Sequence, residues 1–216
     1  MGGPGQGKGP LREKGDSDSV PASVSTDEIY ERYLKKAIAE INELGEELAR
    51  AGDELRVPVV GSGHPLADIM LLKHAPQPSE IQEGVAFFGR SGQAILKSLQ
   101  RLHVDPLSVY GTNCLKFGTE DPADAAAWLT RELYIVQPKL IVVMGEHSVA
   151  FVDDLAFPLS DPLAGGTVGA VQRFTPTIQA LVTPDVDEAL DEAPAKTAFW
   201  NAFKALGPWW AEQPPY

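Results

Sequence analysis

The sequence predicts an α/β protein, a three-layer α/β/α sandwich around a central, mainly parallel four-stranded sheet. Four short apolar runs with β-forming character recur, at residues 67–72, 108–113, 139–145 and 177–183. Segments with helical spacing of apolar residues lie between these runs. Strands that alternate with helices in this way indicate βαβ units, whose parallel sheet is covered by helices on both faces.

The chain before the first run divides into two parts. Residues 1–25 are rich in Gly, Ser, Pro and charge and predict a disordered tail. Thr26 is a candidate N-cap with acidic residues in the first turn. The apolar residues that follow at helical spacing are Ile29, Tyr33, Leu34, Ala37, Ile38, Ile41, Leu44 and Leu48. They predict one amphipathic helix, or two broken near Gly45, and a single folded domain at 26–216.

The segments between and after the runs complete this plan. Helices are predicted at 92–102, 124–136, 146–155 and 195–206. The pair Gly207-Pro208 is expected to end the last of them. Segment 161–174 predicts a loop or a weak pair of strands.

Composition and charge limit the function. A formal charge of −12 argues against a basic protein that coats nucleic acid non-specifically, although a local basic rim can coexist with it. The single cysteine, Cys114, rules out an internal disulfide and a site of several cysteines, and four scattered histidines lack metal-binding spacing. The N-terminus lacks a signal-peptide core, and no apolar run is long enough to cross a bilayer. We therefore expect a soluble cytoplasmic protein without a metal.

Ligands of open α/β sheets bind just beyond the carboxyl ends of the strands. This rule points to four loops, which begin at Lys73, Asn113, Gly145 and Thr183. The loop after the first run is the longest, so it is a candidate site by its position alone.

Three motifs carry a resemblance to a known family. They are DIMLLKHAPQPSEIQEGVAFFGRSGQ at 68–93, YGTNCLK at 110–116 and PKLIVVMG at 138–145. In their order and spacing they resemble the uracil-DNA glycosylase superfamily, most closely its family 4. The similarity extends over residues 57–206. It implies a base-excision-repair protein that binds DNA as a monomer, away from membranes, and hydrolyses the N-glycosidic bond of a flipped, damaged base such as uracil.

The resemblance also implies a pocket for the base. Phe87 occupies the stacking position of the family, and Asn113 matches the residue that reads the pyrimidine edge, since an amide both donates and accepts hydrogen bonds. Ala75, Pro76 and Gln77 stand in the loop that lines the base. Arg90, Ser91, Gly92 and Lys116 are candidates for contact with the DNA backbone. Arg90 could equally pair with an acid.

The candidate catalytic residues are His74, Glu80 and Thr183. His74 stands where the family has a water-activating glutamate, and a neutral imidazole can activate or orient water. Glu80 keeps a carboxylate in the same loop. TPD at 183–185 replaces the His-Pro-Ser motif of the family, and the Thr183 hydroxyl could donate one hydrogen bond to the leaving base.

Further differences concern the cofactor. The four cysteines that bind an iron–sulfur cluster in family 4 are missing, and Phe117 stands where one of them would be. We therefore predict no cofactor, with apolar packing of Phe117 and Trp128 in its bracing role. Lys73 and His147 are interpreted as a solvated lysine and an ordinary helix-end histidine, and Phe88 as part of the core.

Two alternatives remain open from the sequence. The first is a catalytically weak or inactive member of the superfamily that acts as a DNA- or protein-binding module, because both the acid and the last histidine of the family are replaced. The second is a small-molecule hydrolase or nucleotide-processing enzyme on a similar sheet.

Overall fold

A six-stranded sheet forms the centre of the molecule, whose computed structural model describes residues 1–3, 25–53 and 56–214. The strands are β1 (Ser62–Gly63), β2 (Ile69–Lys73), β3 (Val109–Asn113), β4 (Leu140–Met144), β5 (Val171–Arg173) and β6 (Gln179–Thr183). Their order in the sheet is β1-β3-β2-β4-β6-β5. Most of the predicted N-terminal tail lies outside the described residues, so its disorder stays a prediction.

The four inner strands are parallel, as predicted. Ile69 of β2 pairs with Val109 of β3 on one side and with Leu140 of β4 on the other. In each of β2, β3 and β4 all five residues are buried, which is typical of strands covered on both faces. The short strands β1 and β5 pair antiparallel at the two edges. β5 falls in segment 161–174, which the sequence left open between a loop and a weak strand pair.

Seven α-helices surround the sheet within the described part of the chain. They are α1 (Thr26–Ala51), α2 (Pro78–Glu83), α3 (Arg90–Arg101), α4 (Pro122–Val136), α5 (Glu146–Asp154), α6 (Ala193–Phe203) and α7 (Leu206–Ala211). No helix in the described ranges is both long and apolar enough to span a membrane.

Two helix boundaries differ from the prediction. The N-cap of α1 is Ser25, not Thr26, because the Ser25 hydroxyl accepts from the amide of Glu28 and the Glu28 carboxylate accepts from the amide of Ser25. α1 then continues through Gly45 as one helix. Gly207-Pro208 does not end the last helix, since α6 already ends at Phe203 and Pro208 lies in the first turn of α7. Proline fits there because first-turn amides have no partner within a helix.

Alternate residues of the strands face two separate cores. Met70 and Leu72 of β2 pack in the first core with Leu129 of α4. The second core holds Ile69 and Leu71 together with residues of α3, α6 and α7. Helices therefore cover both faces of the sheet, and the three-layer prediction is confirmed.

Candidate functional site

The carboxyl ends of the parallel strands meet at one edge of the sheet. In the strand register, Lys73 at the end of β2 pairs with Asn113 of β3 and with Met144 of β4. Met144 in turn pairs with Thr183 of β6. The structure therefore brings together the four loops that the strand-end rule selected.

Asn113 is the most distinctive residue at this edge. Its side chain is fully buried, yet within the described residues neither its Oδ1 nor its Nδ2 has a hydrogen-bond partner. Its backbone carbonyl accepts from Nζ of Lys116 at 2.7 Å, so the residue itself is firmly placed. Leaving a buried amide unpaired costs about 1–3 kcal/mol. Such a group is suited to bind a ligand that supplies both an acceptor and a donor.

Phe87 lies directly above strand β3. It has a left-handed backbone (φ 58°), and its amide donates to Oε1 of Glu80. A β-carbon on Gly111 would lie 2.7 Å from Cδ2 of the Phe87 ring, so the ring covers a strand position where only glycine fits. The carbonyl of Phe87 lies still closer to Gly92, where a β-carbon would be 1.8 Å from it. The Phe87 ring is therefore held against Gly111 of β3. Thr112 and Asn113 are the next two residues of that strand.

A buried ion-pair network fixes the loop that carries these residues. Nζ of Lys73 lies 2.6 Å from Oε2 of Glu80 and 2.7 Å from Oδ2 of Asp187. Oε2 of Glu80 also accepts from the amide of Gln77 at 2.6 Å. Lys73 is 1 % exposed, so the prediction of a solvated lysine is wrong. Both oxygens of Glu80 are occupied by the loop, so the carboxylate positions Phe87 and Gln77 and does not face a water site.

The loop residues differ in accessibility. Pro76 is buried, Ala75 is half-buried and Gln77 is exposed, with its Nε2 donating to Asp187 at 3.2 Å. The carbonyl of His74 accepts from the amide of Leu115 at 2.9 Å, which ties this loop to the residues after β3. The loop therefore lies beside the Asn113 end of the strand.

His74 lies in a group of ionisable residues from three strand ends. Its ring centroid is 5.5 Å from that of His147 and 6.2 Å from that of Phe151, and its buried Nδ1 has no partner within the described residues. Burial lowers the pKa of His74, and the nearby His147 lowers it further, while Asp185 acts in the opposite direction. The imidazole is therefore neutral at neutral pH. The structure adds His147 and Asp185 to the candidate site. The sequence interpretation of His147 was an ordinary helix-end residue, and only the position of the two residues after strand ends could have suggested them.

The Thr183 hydroxyl is already engaged. It donates to the carbonyl of Pro184 at 3.0 Å, and the residue is 1 % exposed. Next to it is a cavity of about 690 Å³, whose lining includes Thr183, His147 and Asp185. Asn113 and Phe87 lie outside that lining. A hydrogen bond from Thr183 to a leaving group would require the hydroxyl to turn away from Pro184.

The four candidates for backbone contact fall into two groups. Arg90 is exposed and its guanidinium pairs with Asp191 at 2.7 Å, so the acid partner that the sequence left open is present. Gly92 approaches Phe87, and Ser91 is buried at the start of α3. Lys116 is wrong as a phosphate contact, because its side chain is fully buried and its ammonium cannot reach the surface.

Lys116 instead belongs to a polar network beneath the site. Its Nζ donates to Thr112 Oγ1 at 2.6 Å and pairs with Glu132 of α4, which also accepts from the Tyr110 hydroxyl at 2.9 Å. Burial, followed by the charge of Glu132, raises the pKa of Tyr110. Burial also raises the pKa of the neighbouring Cys114 thiol to about 12. The floor under Asn113 is thus held by buried charge-assisted hydrogen bonds.

The residues do not fit an iron–sulfur cluster. The chain has one cysteine, and its thiol stays protonated because of burial. Phe117 is buried against Leu44 and Leu48 of α1, with the Arg56 guanidinium 4.2 Å from its ring centroid, and Trp128 packs on the same group. The described residues also contain no group of three or more His, Cys, Asp or Glu side chains arranged for a metal ion. Phe88 is 48 % exposed and is not part of the core.

Comparison with known proteins finds relatives of one kind, type-4 uracil-DNA glycosylases. The chain is 31% identical over 103 residues to a type-4 uracil-DNA glycosylase of Sulfurisphaera tokodaii, covering 44% of this chain and 47% of that protein. It is 28% identical over 103 residues to one of Saccharolobus solfataricus, covering 44% and 48%. A third, of Archaeoglobus fulgidus, is 25% identical over 160 residues, or 69% and 80%. The matches to the first two thus span about half the length of those relatives.

The family assignment depends on a longer match. The family model described as the Uracil DNA glycosylase superfamily matches residues 60–206, which is more than half of the chain. That range runs from the residues before β1 to the start of α7 and contains Asn113, Phe87 and His74. The chain therefore belongs to the uracil-DNA glycosylase superfamily.

Proposed function

We propose that this protein binds damaged DNA and hydrolyses the N-glycosidic bond of a base flipped out of the stack. The observation that carries this proposal is the buried amide of Asn113, which has no partner among the described residues, two positions along β3 from Gly111, on which the ring of Phe87 packs. A flipped base is held between an aromatic face and polar groups that read its Watson–Crick edge. The uracil edge offers an N–H donor and carbonyl acceptors, and the Asn113 amide satisfies both kinds of group.

Entry of the base requires a movement. The Asn113 amide is fully buried, so a base can reach it only when the segment covering the strand end shifts. The loop from His74 to Gln77 is fixed by Glu80 and by the contacts of Lys73 and Gln77 with Asp187. Asp187 lies after β6, outside the loop itself, so separating these two segments is the natural opening motion. Contacts with DNA would supply the energy for it.

His74 is the residue that would activate water. Its neutral imidazole can accept a proton, and it carries a buried Nδ1 with no partner in the described residues. Asp185 is close enough to favour the protonated form that results, and His147 opposes it. Glu80 acts indirectly, by holding the backbone of Phe87 and Gln77.

The site offers less for stabilising the departing base than for activating water. Thr183 is the side chain at the family's last motif, and its hydroxyl is directed to Pro184. Loss of one such donor costs about 10²–10³ in turnover. We therefore expect slow excision, best measured in single-turnover reactions with excess protein.

A gel assay tests the proposal. Oligonucleotides with one uracil, hypoxanthine or xanthine, single- and double-stranded, are incubated with the wild type and with His74→Ala, then treated with alkali to cut abasic sites. Strand cutting by the wild type above the level of His74→Ala supports excision. If none of the six substrates is cut although the protein binds them, the proposal of catalysis fails.

The second candidate function is a non-catalytic module that binds DNA. The engaged hydroxyl of Thr183 and the ion pairs that close the loop favour it. Binding without product in the same assay is its expected result. For either function we propose a cytoplasmic monomer, and light scattering during size-exclusion chromatography gives the mass that checks the monomer.

A further inference from the structure

A groove with basic side chains lies between α3 and α6. It encloses about 400 Å³. Its charged lining residues, among those described, are Arg90, Lys97, Arg101 and Lys196, and none of its lining residues is acidic. The chain as a whole has 30 acidic against 18 basic residues, so a groove with four basic and no acidic lining residues departs from the average charge. Arg90 is the one of the four that is paired with an acid, Asp191, within the described residues.

The cations are arranged in a row. Arg90, Lys97 and Arg101 occur on α3 at spacings of seven and four residues, which places them along one side of the helix. The twelve residues of α3 extend about 18 Å, so the row reaches well beyond the base pocket. Lys196 of α6 lines the opposite wall. All four side chains are exposed.

Two of the groove's lining segments lie next to the candidate site along the chain. Arg90 begins α3 only three residues after Phe87, and its Nη2 contacts Asp191 at 2.7 Å. Val186, which also lines the groove, follows directly after the Thr183–Asp185 loop. A strand that presented a nucleotide to the site could therefore continue into the groove.

The side chains of the groove are suited to phosphate. Lys97 and Lys196 form no ion pair within the described part of the chain. Arg101 lies over Trp200, 4.4 Å from the ring centroid, so that this aromatic face holds a guanidinium and is not open for base stacking. Free ammonium groups bind phosphate without regard to the base, which a contact outside the pocket requires.

We propose that this groove, lined by Arg90, Lys97, Arg101 and Lys196, binds the sugar-phosphate backbone of the DNA strand next to the nucleotide held at the site. The proposal rests on the proposed function, because it takes DNA as the partner. It adds a second binding surface, which keeps the strand in place while the loop opens. Its contacts are electrostatic, so binding through it depends steeply on salt.

The test compares two pairs of lysines. Lys97→Gln/Lys196→Gln removes two charges from the groove, and Lys35→Gln/Lys36→Gln removes two exposed charges from α1 as the matched control. Fluorescence anisotropy is measured with a 15-nucleotide single strand that carries one central tetrahydrofuran abasic nucleotide and so offers no base to excise. Each lost contact lowers the slope of log K against log salt by about 0.7, so the groove variant should lose about 1.4 in slope and about 25-fold in affinity at 0.1 M salt.

The outcomes separate the groove from the catalytic proposal. Equal behaviour of the two double variants, or no binding by the wild type, overturns the groove. If the groove variant alone loses affinity while no base is excised from any substrate, the groove stands and excision falls. If excision is found and the groove variant binds like the wild type, excision stands and the groove falls. Deoxyuridine monophosphate should bind the wild type and the groove variant equally, and a 25-fold difference would mean that the groove holds a single nucleotide and not a strand.

Discussion

The ring of Phe87 lies against the backbone of Gly111, so closely that a β-carbon at position 111 would be 2.7 Å from Cδ2 of the ring. Gly111→Ala should therefore push the ring out of its position, since the Phe87 backbone is held by Glu80 and cannot follow. We expect at least a tenfold loss of excision and about 1–3 kcal/mol of stability. Single-turnover assays and urea unfolding measure both.

Gly45→Ala is the control for that change. Gly45 lies inside α1, and the nearest side-chain atom to a new β-carbon, Cγ1 of Val60, is at an ordinary 3.8 Å. Alanine in the helix should stabilise the fold by about 0.5–1 kcal/mol and leave excision unchanged. Full activity in Gly111→Ala would mean that Phe87 does not hold the base.

Asn113→Asp should change the choice of base. An ionised carboxylate accepts hydrogen bonds but donates none, so it can no longer satisfy a carbonyl on the uracil edge, while the amino group of cytosine can donate to it. We expect uracil excision to fall at least tenfold and the ratio of uracil to cytosine excision to fall with it. Competition assays on single-stranded DNA measure this ratio, and a ratio equal to that of the wild type would remove Asn113 from the pocket.

The pH dependence of excision should follow His74. Its pKa lies below the ordinary 6.5, so the imidazole is an active base at neutral pH and loses activity as pH falls through that lowered pKa. The free energy of unfolding should change with pH in the same direction as the activity. Because the unfolded chain binds the proton more readily, the folded state becomes less stable as pH falls below 6.5. The groups facing His74 are His147, Asp185 and Phe151.

His74→Asn should remove this acid limb from the rate profile along with most of the activity. His103→Asn is the matched control, since His103 is exposed with φ 56°, a left-handed conformation that asparagine tolerates. Rates between pH 5 and 8 check the prediction. An acid limb that persists in His74→Asn would assign it to another group.

The pair of Lys116 and Glu132 should dominate local stability. Lys116→Met leaves the Glu132 carboxylate buried without its cation, at a cost of about 3–5 kcal/mol. Lys116→Met/Glu132→Gln removes both charges and should regain part of that loss. Urea unfolding measures the series, and Lys35→Met, at an exposed pair on α1, should unfold like the wild type. A wild-type midpoint for Lys116→Met would contradict the account of the network.

Local patterns were sufficient for most of the sheet. The runs that contain β2, β3, β4 and β6 are mostly apolar and rich in β-forming residues, as strands buried on both faces usually are, and this pattern made them recognisable. β1 has two residues and offers no pattern to detect. α2 was missed because Pro78 resembles a loop signal, although at the first helical position proline lacks only an amide that would be unpaired anyway.

Sequence reasoning identified the site residues that stand at strand ends. It did not identify those whose role depends on side chains far away in the sequence. His74 and Asn113 follow from the strand-end rule and from the motifs. Lys73 is buried together with two carboxylates, Glu80 of the same loop region and Asp187, which is 114 residues further along the chain. The sequence does not indicate that Asp187 meets this lysine. His147 and Asp185 follow other strands than His74 does. His147 belongs to none of the motifs, and Asp185 stands in the TPD segment without any local sign that it lies near His74.

The buried thiol next to Asn113 has a practical consequence. Cys114 is the single cysteine of the chain, and with a pKa of about 12 and no exposure it is unreactive in the folded protein. A thiol reagent can therefore modify the protein only when the end of β3 opens. The rate at which the singly labelled protein appears in mass spectra therefore measures how often the end of β3 opens. No engineered probe is needed, because Cys114 is the native label site.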